Sequence, residues 1–420
     1  MPEHTGSETQ PSTVVFETLE QGLRQQVQGW IQDLLEEEVT AFLGRLKSQR
    51  RSSEGVPGTQ NAGYRNGHGK PRSLTTAVGT VTVCRPRLRG LDERFESRVL
   101  PLFARRTPAV EELLPTLYLH GLAAGDFDQA MRGLLGEEAA LSASTLVRLK
   151  SKWQQEYDAW RQRPLGECEV VYLWVDGIYV KAGLEKEKAA LLVAVGALSD
   201  GSKVILAVEA GHRESTESWS RLLRSLKERG MNTPRLVIGD GHLGIWGALA
   251  NVYPETGEQR CWNHRILNVL DRVPQKKQAQ VVVWLRELMY APTREKATEQ
   301  KEKFAQWSQG QGFGEAGRLL DEDWERLVAY YDLPKDHWKH LRTTNPVESP
   351  FAAVRLRTTA AKRYKRVENA TAMIWKLLLV AEQTFRKVNA PELMAKVAAG
   401  ATYVNGLRSW PQTTQDQAAA

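Results

Sequence analysis

"VVYLWVDGIYVKA" spans residues 170–182 and carries one acid, Asp176. Valine, isoleucine, tyrosine and tryptophan favour a pleated strand, whereas aspartate is depleted there. Asp176–Gly177 is also a turn dipeptide, but strand-forming residues resume in "IYVKA". The stretch therefore reads as one strand with a carboxylate built into it. Two more strand-like runs follow, "KAALLVAVGALSDG" (188–201) and "KVILAVEAG" (203–211), over turns short enough for antiparallel hairpins. Next come an amphipathic helix, "TESWSRLLRSLKERG", a buried-looking strand, "RLVIGDG" (235–241), a helix, "LGIWGALANVY", and a fifth strand near "EQRCWNH". This order predicts a mixed α/β sheet.

Two more acids fall on that framework. Asp240 follows "LVIG" at the carboxyl end of a central strand, where open α/β sheets place ligands; standing alone it would equally read as a turn or cap residue. Glu348 leads "TTNPVESPFAAVRLRTTAAKRYKR" (343–366), whose other charges are all basic, among them Arg355, Arg357, Lys362 and Arg363. Asn345 to Glu348 fits a capping box, yet Pro350 would then sit in a helix interior. A helix starting at Ser349, with Pro350 in its first turn, leaves Glu348 just ahead of it and free to face the sheet. Three carboxylates with open water positions suit Mg²⁺ or Mn²⁺. Two such ions a few ångströms apart can clamp an in-line phosphoryl displacement.

The rest of the chain is helical or basic. Residues 16–47 read as an amphipathic packing or dimerisation helix, with Leu19, Leu23, Trp30 and Leu34 on its apolar stripe. Residues 48–73 read as a Gly-, Ser- and Arg-rich loop without regular structure, in which Tyr64 and Arg65 are candidates to meet nucleic acid. "LTTAVGTVTVCRPRL" (74–88) reads as a short strand or hairpin. Residues 108–160 read as helices that include a helix-turn-helix, capped at Ser142 or Ser144, with Ser144, Thr145, Arg148 and Lys150 facing a major groove. Residues 266–341 read as an all-α insertion, and Trp174 and Trp246 as core.

The bulk numbers agree with a DNA partner. The chain has 420 residues, 41% hydrophobic and 25% charged, with a net charge of +7. That is long enough for more than one domain, and the positive excess fits a polyanion. No apolar run is long enough to span a bilayer and no secretory leader is evident. Three dispersed cysteines argue for a reducing compartment. Cys261-x-x-His264 and His337-x-x-His340 have metal-ligand spacing but match no standard zinc finger. The preferred reading puts Cys261, His264 and His242 near the acids, with His264 orienting a phosphate or packing the fifth strand.

Taken in order, "VDGIYVK", "IGDGHLGIWGAL", "QRCWNHRILNVL" and "TTNPVESPFAAVRLRT" resemble the bacterial insertion-sequence transposases of the Mutator type. "YRNGHGKPRSLTTAVGTVTVCRPRLRG" and "LSASTLVRLKSKW" extend the likeness toward the N-terminus. The resemblance implies a multidomain protein: an α-helical N-terminal DNA-binding region and an α/β ribonuclease H-like catalytic core interrupted by an all-α insertion. The expected segments are 1–73, 74–165, 166–265, 266–341, 342–405 and a disordered tail, 406–420. Asp176, Asp240 and Glu348 become a catalytic, metal-binding triad for two Mg²⁺ or Mn²⁺ ions. Arg65, Ser144, Thr145, Arg148, Lys150, Arg355, Arg357, Lys362 and Arg363 become candidate DNA contacts. The implied partners are double-stranded DNA, as terminal inverted repeats and target, and at least one further copy of the chain, in the bacterial cytoplasm at the nucleoid. The alternatives are a nuclease or resolvase with the same acids, and a non-catalytic DNA-binding descendant.

Overall fold

The structure is a computed structural model. It describes residues 12–50, 63–92, 94–123, 125–139, 143–183, 188–211, 213–241 and 243–409. The chain divides into two compact units, Met1–Val147 and Arg148–Ala420.

The first unit opens with helix α1 (Ser12–Leu43). It ends where Gly44 takes a φ of 67°, so the expected continuation to residue 47 is not made. Strands β1 (Tyr64–His68), β2 (Arg72–Thr76), β3 (Gly79–Val83) and β4 (Pro86–Arg89) follow. β2 and β3 form the hairpin expected from the alternation, with Leu74 opposite Val81. Leu35 of α1 joins Leu74, Val81, Val83 and Leu100 in the core of this unit. Val39 and Leu43 of α1 are buried too, whereas Leu19, Leu23, Trp30 and Leu34 stay exposed. β1 corrects the sequence reading, which left residues 48–73 without regular structure. β1 pairs with β4, and the ladder absorbs the glycines through an irregularity between Arg65 and His68, where Gly67 has a φ of 66°. Helices α2 (Pro108–Leu119), α3 (Phe127–Leu135) and α4 (Ala143–Trp160) complete the N-terminal half. α4 begins at Ala143, which puts Ser144 inside its first turn; Ser142 lies outside the described residues.

The second unit is built on a five-stranded mixed sheet. In chain order its elements are β5 (Val170–Val180), β6 (Ala189–Leu198), β7 (Lys203–Gly211), α5 (Thr216–Glu228), β8 (Leu236–Gly239), α6 (Leu243–Val252) and β9 (Gly257–Arg260). The strand order is β7-β6-β5-β8-β9. β5, β6 and β7 run antiparallel to their neighbours, while β8 runs parallel to β5 and β9 parallel to β8. Side chains alternate between faces along a strand. Leu173 and Val175 accordingly join Leu222, Leu223, Leu226, Ile245 and Leu249 under α5 and α6. The even-numbered residues Tyr172, Trp174 and Asp176 point to the opposite face.

The C-terminal helices follow the sheet in sequence. These are α7 (Trp262–Leu270), α8 (Gln275–Met289), α9 (Arg294–Gly310), α10 (Glu315–Glu322), α11 (Trp324–Val328), α12 (Trp338–Leu341), α13 (Asn345–Glu348), α14 (Phe351–Ala361) and α15 (Val367–Glu382). α13 packs against β5 and β6, and α15 against β7. Trp174 and Trp246 are core, as expected. The Arg342 guanidinium sits 4.8 Å from the ring centres of Tyr290 and Tyr330. Residues 406–409 are not a tail: Leu407–Arg408 pairs with Tyr403–Val404.

Candidate active site

Strand register brings the first two acids together. Trp174 on β5 pairs with Ile238 on β8 in a parallel ladder. Two residues further on, Asp176 and Asp240 therefore leave neighbouring strands at the same level, with strands about 4.8 Å apart. Gly241 has a φ of 94° and turns the chain away directly after Asp240, toward α6. A Cβ there would run into the Arg260 guanidinium. The sheet thus continues through Asp176, while β8 stops short and leaves the Asp240 carboxylate at its end.

Glu348 arrives from above that edge, although not as the sequence suggested. It neither completes a capping box from Asn345 nor precedes a helix starting at Ser349. α13 is a single turn whose N-cap position is Thr344, and Pro350 is the N-cap of α14. The missing N–H of Pro350 separates the two helices. The Glu348 N–H donates to the Thr344 carbonyl at 3.0 Å, and the Thr344 hydroxyl donates to the Glu348 carboxylate. Thr344 and Val347 are fully buried, so they anchor the turn. Sequence reasoning missed Thr344. Its signal was the four-residue spacing from Glu348, which helical backbone turns into a contact.

Cys261 and His264 belong to a helix start rather than to the fifth strand. β9 ends at Arg260, Cys261 is the N-cap of α7, and His264 lies in its first turn. The Cys261 N–H donates to the Gly239 carbonyl at 2.8 Å, which ties the N-cap to the strand end carrying Asp240. The Thr344 N–H reaches the buried Cys261 sulfur at 3.3 Å. His264 Nδ1 lies 3.8 Å from a Glu348 carboxylate oxygen. One donor atom each from Cys261, His264 and Glu348 falls within 4.8 Å of the others.

The electrostatics record the crowding. Asp176 is 8% exposed. Burial pushes its carboxyl up to about 7; the Gly177 N–H opposes this, and the Asp240 and Glu348 carboxylates reinforce it. The Cys261 sulfur raises His264 to about 9 against the effect of burial, with Glu348 and Asp176 adding to the rise. A fourth acid escaped the sequence reading. Glu214 is 5% exposed and lies so close to the Gly177 backbone that any Cβ there would strike its carboxylate. Burial and then Glu214 push the neighbouring Tyr179 up to about 12.

Three carboxylates gathered from β5, the end of β8 and α13 make a donor set that hard, oxygen-seeking cations prefer. The second expected pair is employed elsewhere. His337 Nδ1 meets the Tyr172 hydroxyl at 2.7 Å, and His340 Nε2 meets Asn389 at 3.0 Å. A four-ligand site from the two Cys/His pairs is therefore not assembled.

A family profile described as "Transposase, Mutator family" matches residues 3–387. The chain belongs to the Mutator family of transposases. Among its curated relatives, the transposase of insertion sequence element IS6120 from Mycolicibacterium smegmatis is 44% identical over 71% of this chain and 92% of its own. The transposase of element IST2 from Acidithiobacillus ferrooxidans is 37% identical over 70% of this chain and 99% of its own. Of solved structures, the Drosophila P element transposase strand transfer complex is 11% identical over 68% of this chain and 84% of its own, at a TM-score of 0.30. The HTLV-2 integrase catalytic core domain in complex with magnesium is 18% identical over 28% of this chain and 86% of its own, at a TM-score of 0.17. Both structural likenesses are slight.

The candidate DNA contacts of this Mutator-family transposase divide into outward and inward residues. Ser144, Arg148, Arg355, Lys362 and Arg363 are exposed, and Thr145 and Lys150 half-buried. Arg363 also donates to the Gly183 carbonyl at 3.0 Å. Two candidates are corrected. Arg357 is 2% exposed and packs inside the protein. Arg65 is held by Glu36 at 2.9 Å and Thr40 at 2.7 Å, both on α1. Neither helical nor strand periodicity in the sequence separates an arginine that is held internally from one that is free. His242 lies outside the described residues.

Proposed function

We propose that this transposase binds the terminal inverted repeats of an insertion sequence, cuts the DNA strand at the element's end and joins the released 3′-OH to target DNA. The observation that carries the reading is the convergence of Asp176, Asp240 and Glu348 from three elements on one sheet edge. The strand order, with three antiparallel strands followed by two parallel ones, supports a ribonuclease H-like core. In this reading the three carboxylates hold divalent cations, Mg²⁺ or Mn²⁺, which when bound supply Lewis-acid activation of the attacking and leaving oxygens. Thr344 fixes the Glu348 carboxylate, the turn at Gly241 fixes Asp240, and the strand itself fixes Asp176. His264, 3.8 Å from Glu348 and with its pKa raised, is placed to offset carboxylate charge and to orient a scissile phosphate. Exposed Arg148 on α4 and Arg355 on α14 are proposed as backbone contacts. Pairing two DNA ends requires at least a dimer.

The test uses a duplex carrying the inverted repeats that flank the reading frame. Wild-type protein should nick it with Mg²⁺ and join the product to a second duplex. Asp176→Asn, Asp240→Asn and Glu348→Gln should each lower cleavage by at least about a thousandfold, as expected for loss of a dominant electrostatic element, with duplex binding retained. Efficient cutting by Glu348→Gln in Mg²⁺ would refute the triad. Cutting without joining would instead favour a nuclease or resolvase.

A further inference from the structure

The β1–β4 ribbon carries its charge unevenly. Tyr64 pairs with Arg89 and Arg65 with Leu88. On β1, Arg65 is ion-paired with Glu36 of α1 at 2.9 Å, and the His68 ring meets the other oxygen of Glu36 at 2.7 Å. Among the described residues, the β4 cations have no such acid partner. Arg87 and Arg89 are both exposed. Being two residues apart they leave one face of the strand, roughly 6.8 Å from each other, a separation comparable to that of successive phosphates on one DNA strand.

Beside them is a hollow of about 610 Å³, open on one side and lined by Lys70, Arg72, Arg85, Arg87, Arg89 and Arg94. Among the described residues its lining includes one acid, Glu96. The hollow is built rather than incidental. Arg72 is pinned by the carbonyls of Leu102 at 2.7 Å and Ala104 at 2.6 Å, and Leu35 of α1 forms part of the wall. Burial lowers the Arg85 guanidinium pKa; repulsion from Arg72 and Arg94 lowers it further, while Glu38 and Glu96 pull the other way. Cations collected where they repel one another cost stability in the free protein, and a bound polyanion removes that cost. Several charges along one strand suit a run of phosphates rather than a single small anion.

We propose that the basic hollow on the β1–β4 ribbon grips the phosphate backbone of duplex DNA, with Arg87 and Arg89 on neighbouring phosphates and Lys70 at the rim. The ligand class, backbone phosphate, follows from the charge and spacing of the site; that the polyanion is DNA rests on the function proposed above. The ribbon thus takes over the role that the sequence gave to Arg65, one strand away. Phosphate contacts fix register and affinity but carry no base information, so the grip acts alike on element ends and other DNA.

The experiment uses the full chain and two labelled duplexes of equal length, one cut from the DNA flanking the reading frame and one shuffled. Arg87→Ala with Arg89→Ala should weaken binding of both duplexes by roughly tenfold or more. It should also make the plot of log affinity against log salt shallower by about two, since each phosphate contact contributes about 0.9. Arg87→Lys with Arg89→Lys should keep the wild-type slope. Undiminished affinity and an unchanged slope in the alanine pair overturn the proposal. A second measurement needs no variant: saturating duplex should protect Lys70 of the wild-type protein from acylation, and equal labelling with and without duplex overturns the proposal too. The two readings fail separately. If wild type cuts with Mg²⁺ and joins the product while the alanine pair binds normally, the ribbon is excluded and transposition stands. If duplex binding depends on the ribbon but wild type never cuts, the ribbon stands and the catalytic reading falls.

Discussion

Asp176 holds its proton more tightly in the folded chain than a solvated carboxyl does, at about 7 against an ordinary value of 3.8. Burial is the main cause, and two neighbouring carboxylates add to it. The sign of the consequence follows from linkage. Below about pH 4 Asp176 is protonated whether folded or unfolded, and contributes nothing. As pH rises from about 4 to about 7 the unfolded chain ionises first, so the folded state loses stability; above about 7 the loss is complete. Asp176→Asn keeps the acceptor for the Gly177 N–H while removing the charge. Without divalent metal it should therefore melt higher than wild type at pH 8, by an amount worth a few kcal/mol, of order one kcal/mol per pKa unit. That advantage should shrink toward pH 4, and Mg²⁺ should reverse the order at pH 8 by stabilising wild type alone. Melting curves of both proteins across this range, with and without Mg²⁺, are the check. A constant difference at every pH would mean that the carboxyl is not strained by burial and its neighbours.

At the scale of elements, the turn from β8 to α6 sets where Asp240 points. Gly241 has a φ of 94°, and any side chain there meets Arg260. Gly241→Ala combines left-handed strain with a clash, so it should cost about 1–3 kcal/mol and reduce Mg²⁺-dependent cleavage. Gly183 also has a positive φ, 76°, but nothing lies within 4 Å of its would-be Cβ, so Gly183→Ala should cost less and leave cleavage nearly intact. Equal effects at both glycines would remove the turn from the argument. The same turn explains what could be read from the sequence. Continuous apolar runs and short polar turns marked the first four strands of the sheet, whereas the fifth, Gly257–Arg260, contains no apolar residue; the acids stood out because aspartate is unexpected in and after such runs. The supports of those acids were less visible. "EQRCWNH" carries no sign of where its strand gives way to a helix; the N-cap falls at Cys261, where the Thr344 N–H and the Gly239 carbonyl engage the cysteine from distant parts of the chain. Likewise β1 forms in a glycine-rich stretch because β4 supplies its hydrogen bonds and Gly67 supplies the irregularity. Such partners are tertiary, and local propensity does not contain them.

Across the whole molecule, the basic hollow and the candidate metal ligands lie in different units. The basic hollow lies in Met1–Val147, and the converging acids lie in Arg148–Ala420. Each unit buries its own core, around Leu35, Leu74 and Val81 in one and around the five-stranded sheet in the other. Chains with more than one core commonly depart from two-state unfolding, so calorimetry of the full chain should resolve more than one transition. A ligand that binds one unit in its folded form stabilises that unit by mass action. Mg²⁺ should therefore raise the transition of the sheet unit, and Asp240→Asn should abolish that rise without moving the other transition. A duplex should act in the opposite sense on the alanine pair: Arg87→Ala with Arg89→Ala should reduce the DNA-induced rise of the N-terminal transition and leave the Mg²⁺ response unchanged. If Mg²⁺ lifts both transitions equally, or still acts on Asp240→Asn, the cations are held outside the site formed by Asp176, Asp240 and Glu348.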